Sequence, residues 1–203
     1  MLKLANSLQP IYTTPMRIKS AEFVKGIKGT DPILYDGVPE YAFVGRSNVG
    51  KSSVINALLN KKDLVRVGKM PGKTREVNFF RINNQVYFVD LPGYGYATAG
   101  PEEKEKIKKL ILWYLMYSEV EHAKVVLILD AKVGFTEFDS EMVRALKQSH
   151  RPFVIVANKI DKLNQKETKK QMDSIAEKSG VDVFPYSAKN RKGTDILLNK
   201  ILS

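Results

Sequence analysis

The sequence predicts a three-layer α/β fold, with a mainly parallel six-stranded sheet, one antiparallel edge strand and helices on both faces. Three observations carry this. From Tyr41 onward, short β-rich runs alternate with helical patterns, the mark of βα units around a parallel sheet. The polar pair Asn83-Asn84 separates two adjacent strand-like runs, so a hairpin brings one antiparallel strand to the parallel set. The chain has 203 residues, 43% hydrophobic and 27% charged, a length and balance that suit one sizeable buried core.

In chain order, the first forty residues contain a strand-like run around Arg17–Val24 and then a Gly/Asp/Pro turn region. Residues 1–40 are read as an N-terminal extension packed on the main domain, 41–203, within one structural unit. Strands are expected at Tyr41–Val44, Val77–Ile82, Val86–Val89, Val125–Leu129, Phe153–Ala157 and Val183–Tyr186. Helices are expected at Lys51–Leu59, Glu102–Tyr117, Glu137–Gln148, Gln165–Lys178 and Thr194–Leu202, with Thr136 capping the third. Asn60 to Glu76, rich in Lys, Arg and Gly, and Gly93 to Pro101, with three glycines and a closing proline, read as loops.

Charge and processing signals narrow the function classes. Lys and Arg number 33 against 22 Asp and Glu, a formal net charge of +11, which favours an anionic partner without choosing between nucleic acid and acidic lipid. The absence of cysteine excludes disulfides and cysteine-ligated metals and fits a reducing cytoplasm. The N-terminus lacks the apolar core of a signal peptide. The longest strongly apolar run, Val125–Leu129, is far short of the roughly 20 residues that span a bilayer. A cytoplasmic monomer is expected.

The strongest chemical signal is Gly45-Arg46-Ser47-Asn48-Val49-Gly50-Lys51-Ser52, followed by Ser53, between an apolar strand and a helix. This is the G-x-x-x-x-G-K-[ST] phosphate loop. Backbone N–H groups close around phosphate oxygens, Lys51 reaches the β and γ phosphates, and the Ser52 hydroxyl ligates Mg²⁺. Asp90-Leu91-Pro92-Gly93 follows the strand Val86–Val89, so Asp90 lies at the carboxyl end, where ligands of open α/β sheets bind. Asp90 is expected to hold Mg²⁺ and the Gly93 N–H to meet the γ-phosphate. Pro71-Gly72-Lys73-Thr74-Arg75 supplies Thr74 as a second side chain on Mg²⁺ and a sensor of the γ-phosphate. Lys51, Thr74 and Gly93 are the candidate catalytic residues.

Base choice falls to Asn158-Lys159-Ile160-Asp161 at the end of the fifth expected strand. A carboxylate at Asp161 accepts the N1–H and N2 amino donors of guanine, whereas adenine presents an acceptor at N1 and leaves the carboxylate unpaired. Asn158 ties the base to the loop, and the Lys159 stem packs over its ring. Ser187-Ala188-Lys189, after the last strand, presents the Ala188 N–H to guanine O6. GTP and GDP are therefore the expected ligands, in a P-loop NTPase fold.

These elements, in this order from Tyr41 to the C-terminus, resemble the translation-factor-related class of Ras-like GTPases. The P-G-K-T-R loop and Asp90-Leu91-Pro92-Gly93-Tyr94-Gly95-Tyr96 resemble the EngB family, also called YihA or YsxC. The resemblance implies GTP hydrolysis gating assembly of the large ribosomal subunit, through ribosomal RNA and proteins, and a family association with cell division and septation. It does not extend to a water-positioning glutamine, because Tyr94 follows D-x-x-G, so hydrolysis alone is expected to be slow. Related GTPases with asparagine at the Asn48 position bind potassium beside the phosphates, where a cation replaces an arginine finger.

Other features carry less. His122 and His150 have no third ligand in view. Trp113, Tyr114 and Tyr117 recur at helical spacing and read as packing. Lys104, Lys106, Lys108 and Lys109 are read as starting a helix, where the dipole disfavours them and RNA contact explains them. Two alternatives stay open beside the GTP-cycling enzyme: an RNA- or ribosome-binding module with incidental hydrolysis, and a membrane-associated septation GTPase.

Overall fold

The computed structural model describes residues 16–65, 76–95, 100–118, 120 and 122–203. Among the described residues, seven strands form one sheet in the order β1-β3-β4-β2-β5-β6-β7, one strand more than the sequence predicts. The strands are β1 (Ala21–Ile27), β2 (Glu40–Gly45), β3 (Val77–Ile82), β4 (Val86–Asp90), β5 (Lys124–Asp130), β6 (Phe153–Asn158) and β7 (Val183–Pro185). Only β3 runs against the others. It is antiparallel to β4 and to β1, and β1 forms the outer edge.

The additional strand begins four residues later than its sequence signal. The reason is the hairpin between β3 and β4: Asn83 and Asn84 both take left-handed φ, 51° and 56°, as a two-residue turn of this hand requires. The Asn83 side chain then accepts from Lys19 N at 2.7 Å and Ser20 N at 3.0 Å, capturing the chain just before β1. Pairing starts only beyond this clasp, at Ala21↔Ile82.

The helices are α1 (Lys51–Leu58), α2 (Pro101–Leu112), α3 (Glu137–Gln148), α4 (Gln165–Ser179) and α5 (Thr194–Leu202). Val54 and Ile55 of α1 and Leu197 and Ile201 of α5 join the apolar cluster on one face of the sheet. Ile107 and Ile111 of α2, Met142 and Leu146 of α3 and Ile175 of α4 join the cluster on the other. Strands β2 and β4 are buried along their whole length, which is why they read as near-continuous apolar runs.

The expected helix Glu102–Tyr117 splits. Its α-helical part ends at Leu112, and Trp113–Tyr117 forms a wider turn in which Ser118 N donates to Trp113 O at 2.7 Å. This turn sends Tyr114 inward, where its hydroxyl donates to the buried Glu40, and leaves Tyr117 77% exposed. The lysines do not crowd the start of α2: Glu102 and Glu103 occupy the first turn and Lys109 the last, the arrangement the helix dipole favours. That removes the dipole argument for RNA contact at this helix.

Candidate nucleotide site

The site is assembled at the carboxyl ends of β2, β4, β5 and β6 and from the loop after β7. Between β2 and α1 the phosphate loop turns through Asn48 (φ 66°) and Gly50 (φ 92°), both left-handed. At Gly50 a side chain is excluded twice, since an added Cβ would also lie 2.5 Å from Asn158 Nδ2. Val54 N donates to Gly50 O at 2.9 Å and starts α1, so the phosphate loop runs directly into a helix N-terminus, an anion-binding arrangement.

Lys51 and Asp90 are paired with each other, Lys51 Nζ on Asp90 Oδ1, at 7% and 2% exposure. Burial pushes the Asp90 carboxyl up, and the Lys51 ammonium opposes that shift. The sequence reading assigns these groups to phosphate and to Mg²⁺ separately; the structure stores each charge on the other. A phosphate that reached the ammonium would compete with Asp90 for it and free the carboxylate for a cation. The donor chemistry fits Mg²⁺: a carboxylate and the Ser52 hydroxyl are hard oxygens, and this ion takes few protein ligands beside phosphates and water. When bound, Mg²⁺ neutralises charge on the phosphate oxygens. Among the described residues, no three His, Cys, Asp or Glu side chains form a metal-ligand group. His122 is instead buried against the Tyr114 ring at 4.8 Å between centroids.

The segment after β4 lies directly on the phosphate loop. Leu91 N donates to Phe43 O at 3.1 Å, and Leu91, Pro92 and Gly93 are buried. An added Cβ on Gly93 would come 3.1 Å from Ser47 N and Cα, so glycine allows the close approach. Tyr94, where a water-positioning glutamine is missing, is buried at 9% exposure with its hydroxyl on Asp139 Oδ1 at 2.9 Å.

The segments expected to select the base are tied to the phosphate loop by two side chains, Asn158 and Lys159. Asn158 donates from Nδ2 to Val49 O at 2.9 Å and accepts at Oδ1 from Ala188 N at 3.1 Å. The Ala188 N–H, expected on guanine O6, is thus engaged by Asn158. Lys159, at φ 68°, reaches Asn48 O and pairs with Asp130 Oδ2 at 2.7 Å. Asp130 is a residue that sequence reasoning missed, although an acid at the carboxyl end of β5 was a visible signal. Ile160 opens a short 3₁₀ turn, Ile160–Lys162. Within it Asp161 accepts from Ser187 Oγ at 2.6 Å on Oδ1. Gly45, Arg46, Ser47, Ser52 and Ser53 lie in or beside the same loop and first turn, and Lys189 is exposed beside the last loop. Gly72, Lys73 and Thr74 lie outside the described residues. No helix among the described residues is long and apolar enough to cross a membrane.

Comparisons with known proteins point to GTP-binding proteins. The sequence model of the family described as "50S ribosome-binding GTPase" matches residues 40–159, and that of the "Elongation factor Tu GTP binding domain" matches residues 118–203. The chain is 43% identical to a probable GTP-binding protein EngB of Clostridium kluyveri, over 93% of this chain and 97% of the relative. It is also 43% identical to one of Chlorobaculum parvum, over 92% and 97%. A crystal structure of a probable GTP-binding protein EngB superposes with a TM-score of 0.69 at 29% identity, covering 80% of this chain and 98% of that one. Era, solved with MgGDPNP and nucleotides 1506–1542 of 16S ribosomal RNA, superposes with a TM-score of 0.65 at 28% identity, over 81% of this chain and 56% of that one.

Proposed function

The chain belongs to the EngB family of GTP-binding proteins and is a P-loop GTPase, and from that premise we propose that its GTP cycle gates assembly of the large ribosomal subunit. The observation that carries this reading is the match of residues 40–159 to a family described as ribosome-binding. The net charge of +11 and the RNA-bound neighbour Era support it, since a basic surface of this size attracts phosphodiester.

In the proposed cycle Lys51 leaves Asp90 for the β and γ phosphates, and Ser52, Asp90 and Thr74 hold Mg²⁺. Gly93 offers its N–H to the γ-phosphate, and Asp161 selects guanine. Asn48 helps hold potassium beside the phosphates. A hundredfold preference of the ribosomal partner for the GTP form needs only about 2.7 kcal/mol of differential contact. A role in cell division and septation is carried by family resemblance, and a monomer in the cytoplasm is the form we assign.

The test is GTP hydrolysis with and without purified large ribosomal subunits in potassium buffer, with Asp161→Asn as control. Stimulation by subunits that the variant loses is the expected result. Tight GTP binding without stimulation returns the reading to a nucleotide-shaped binding module, and equal rates in sodium remove potassium from it.

A further inference from the structure

Tyr94 occupies the position where a glutamine would orient water, yet its side chain faces away from solvent, within the apolar cluster under α2 and α3. Three bonds hold this one residue. Its hydroxyl donates to Asp139 Oδ1 at 2.9 Å, its N–H donates to Gly45 O at 3.3 Å, and its carbonyl accepts from Ser47 N at 2.7 Å. The backbone pair forms a parallel bridge, Arg46↔Tyr94, between the phosphate loop and the segment after β4.

The anchor at the other end is equally fixed. Asp139 is 1% exposed, and its Oδ2 accepts from Thr136 N at 3.0 Å and Thr136 Oγ1 at 2.7 Å at the start of α3. One carboxylate therefore caps a helix and clamps the loop. Gly93, one residue before Tyr94, is held so close to Ser47 that an added Cβ would lie 3.1 Å from the Ser47 backbone, a tight contact.

We propose that Tyr94 is a positioning residue for GTP hydrolysis, acting through Gly93: the hydroxyl clamped on Asp139 fixes the Gly93 main chain against the phosphate loop before triphosphate is engaged. The proposal rests on the reading that the Gly93 N–H serves the γ-phosphate. A donor already in place contributes to the transition state without an ordering cost at the moment of reaction. Tyr94 thus replaces a missing contact to water with a rigid mount for a donor. The diphosphate makes no use of that donor, so its binding is insensitive to the clamp.

Tyr94→Phe keeps the ring and deletes the hydroxyl. The expected result is a kcat about tenfold lower, equivalent to about 1.4 kcal/mol, with KM for GTP and affinity for GDP within threefold of the parent. Asp139→Asn keeps an oxygen acceptor without its charge and falls between the two, with kcat about threefold lower. A folded Tyr94→Phe, checked by thermal unfolding, that turns over within twofold of the parent overturns the proposal and leaves Tyr94 as core filling. So does a loss of GDP affinity parallel to the loss of kcat. Gly93→Pro, which deletes the N–H itself, separates the two levels. If a folded Gly93→Pro hydrolyses GTP normally, the γ-phosphate reading itself fails; if it is inactive while Tyr94→Phe is normal, only the clamp fails.

Discussion

The two ends of the sheet both bury charge, and they do so by different means. At the carboxyl end, Lys51 and Asp90 neutralise each other, and Lys159 is shared between Asp130 and the Asn48 carbonyl. At the amino end, Glu40 and His122 lie equally deep without an opposite charge on either. Glu40 accepts from the Tyr114 hydroxyl, and both ring nitrogens of His122 lack a partner. The Arg151 guanidinium nearby donates to Val120 O at 2.7 Å. Exchangeable ion pairs suit an end that trades partners with a ligand. At the other end burial shifts Glu40 up and His122 down, each towards its neutral form.

The largest expected effect breaks the carboxyl end. Lys51→Ala removes the proposed phosphate ligand and leaves Asp90 buried without its cation, a loss of about 3–5 kcal/mol when one partner of a buried pair is deleted, unless the carboxyl takes up a proton. GTP turnover, followed by phosphate release, should fall at least a hundredfold, and thermal unfolding should occur at lower temperature at pH 7 than at pH 5.

An intermediate effect sharpens the contrast through pH. Burial, ahead of the nearby Asp36 charge, raises Glu40 from 4.5 to about 7, although the Tyr114 hydroxyl opposes this. With its folded value raised, Glu40 contributes stability that is complete below pH 4.5 and is lost as pH rises through about 7. At about 1.4 kcal/mol per pH unit this is about 3 kcal/mol. Burial, with the Arg151 charge, lowers His122 from 6.5 to about 3, so its contribution is complete above pH 6.5 and is lost as pH falls towards 3. The slopes oppose between pH 4.5 and 6.5. The Glu40 decline runs from pH 4.5 to about 7 and is offset by His122 below pH 6.5, so Glu40→Gln should make stability rise with pH between 4.5 and 6.5, and His122→Phe should flatten the limb between pH 3 and 4.5, both read from unfolding midpoints across pH. An unchanged profile in Glu40→Gln would assign the pH response to other groups.

The smallest effect tests whether surface pairs matter beside buried ones. Lys108 and Glu141 join α2 to α3 at 3.3 Å with both side chains about half exposed. Lys108→Ala should shift stability by less than about 0.5 kcal/mol in chemical denaturation.

Much of the site was legible because its elements are local. A strand, a turn and a helix within a dozen residues spell the phosphate loop, and Asn158 to Asp161 sit in four consecutive positions. The parts that escaped join residues far apart in sequence: Tyr94 with Asp139, Tyr114 with Glu40, Lys159 with Asp130. Strand β1 was misplaced by four residues because the Asn83 side chain, some sixty positions away, claims the amides before it. The wide turn at Trp113–Tyr117 has the same origin, since apolar spacing cannot tell α from a looser helix when one residue must reach a buried acid.

The sequence by itself determined the fold class, the ligand and the order of the nucleotide elements, because periodicity, turn residues and short motifs act over a few residues. Tertiary structure alone decided which charges meet. Lys51 chose Asp90 and Tyr94 chose Asp139 because burial makes an unpartnered charge or hydroxyl costly, and only the packed sheet brings those partners within reach.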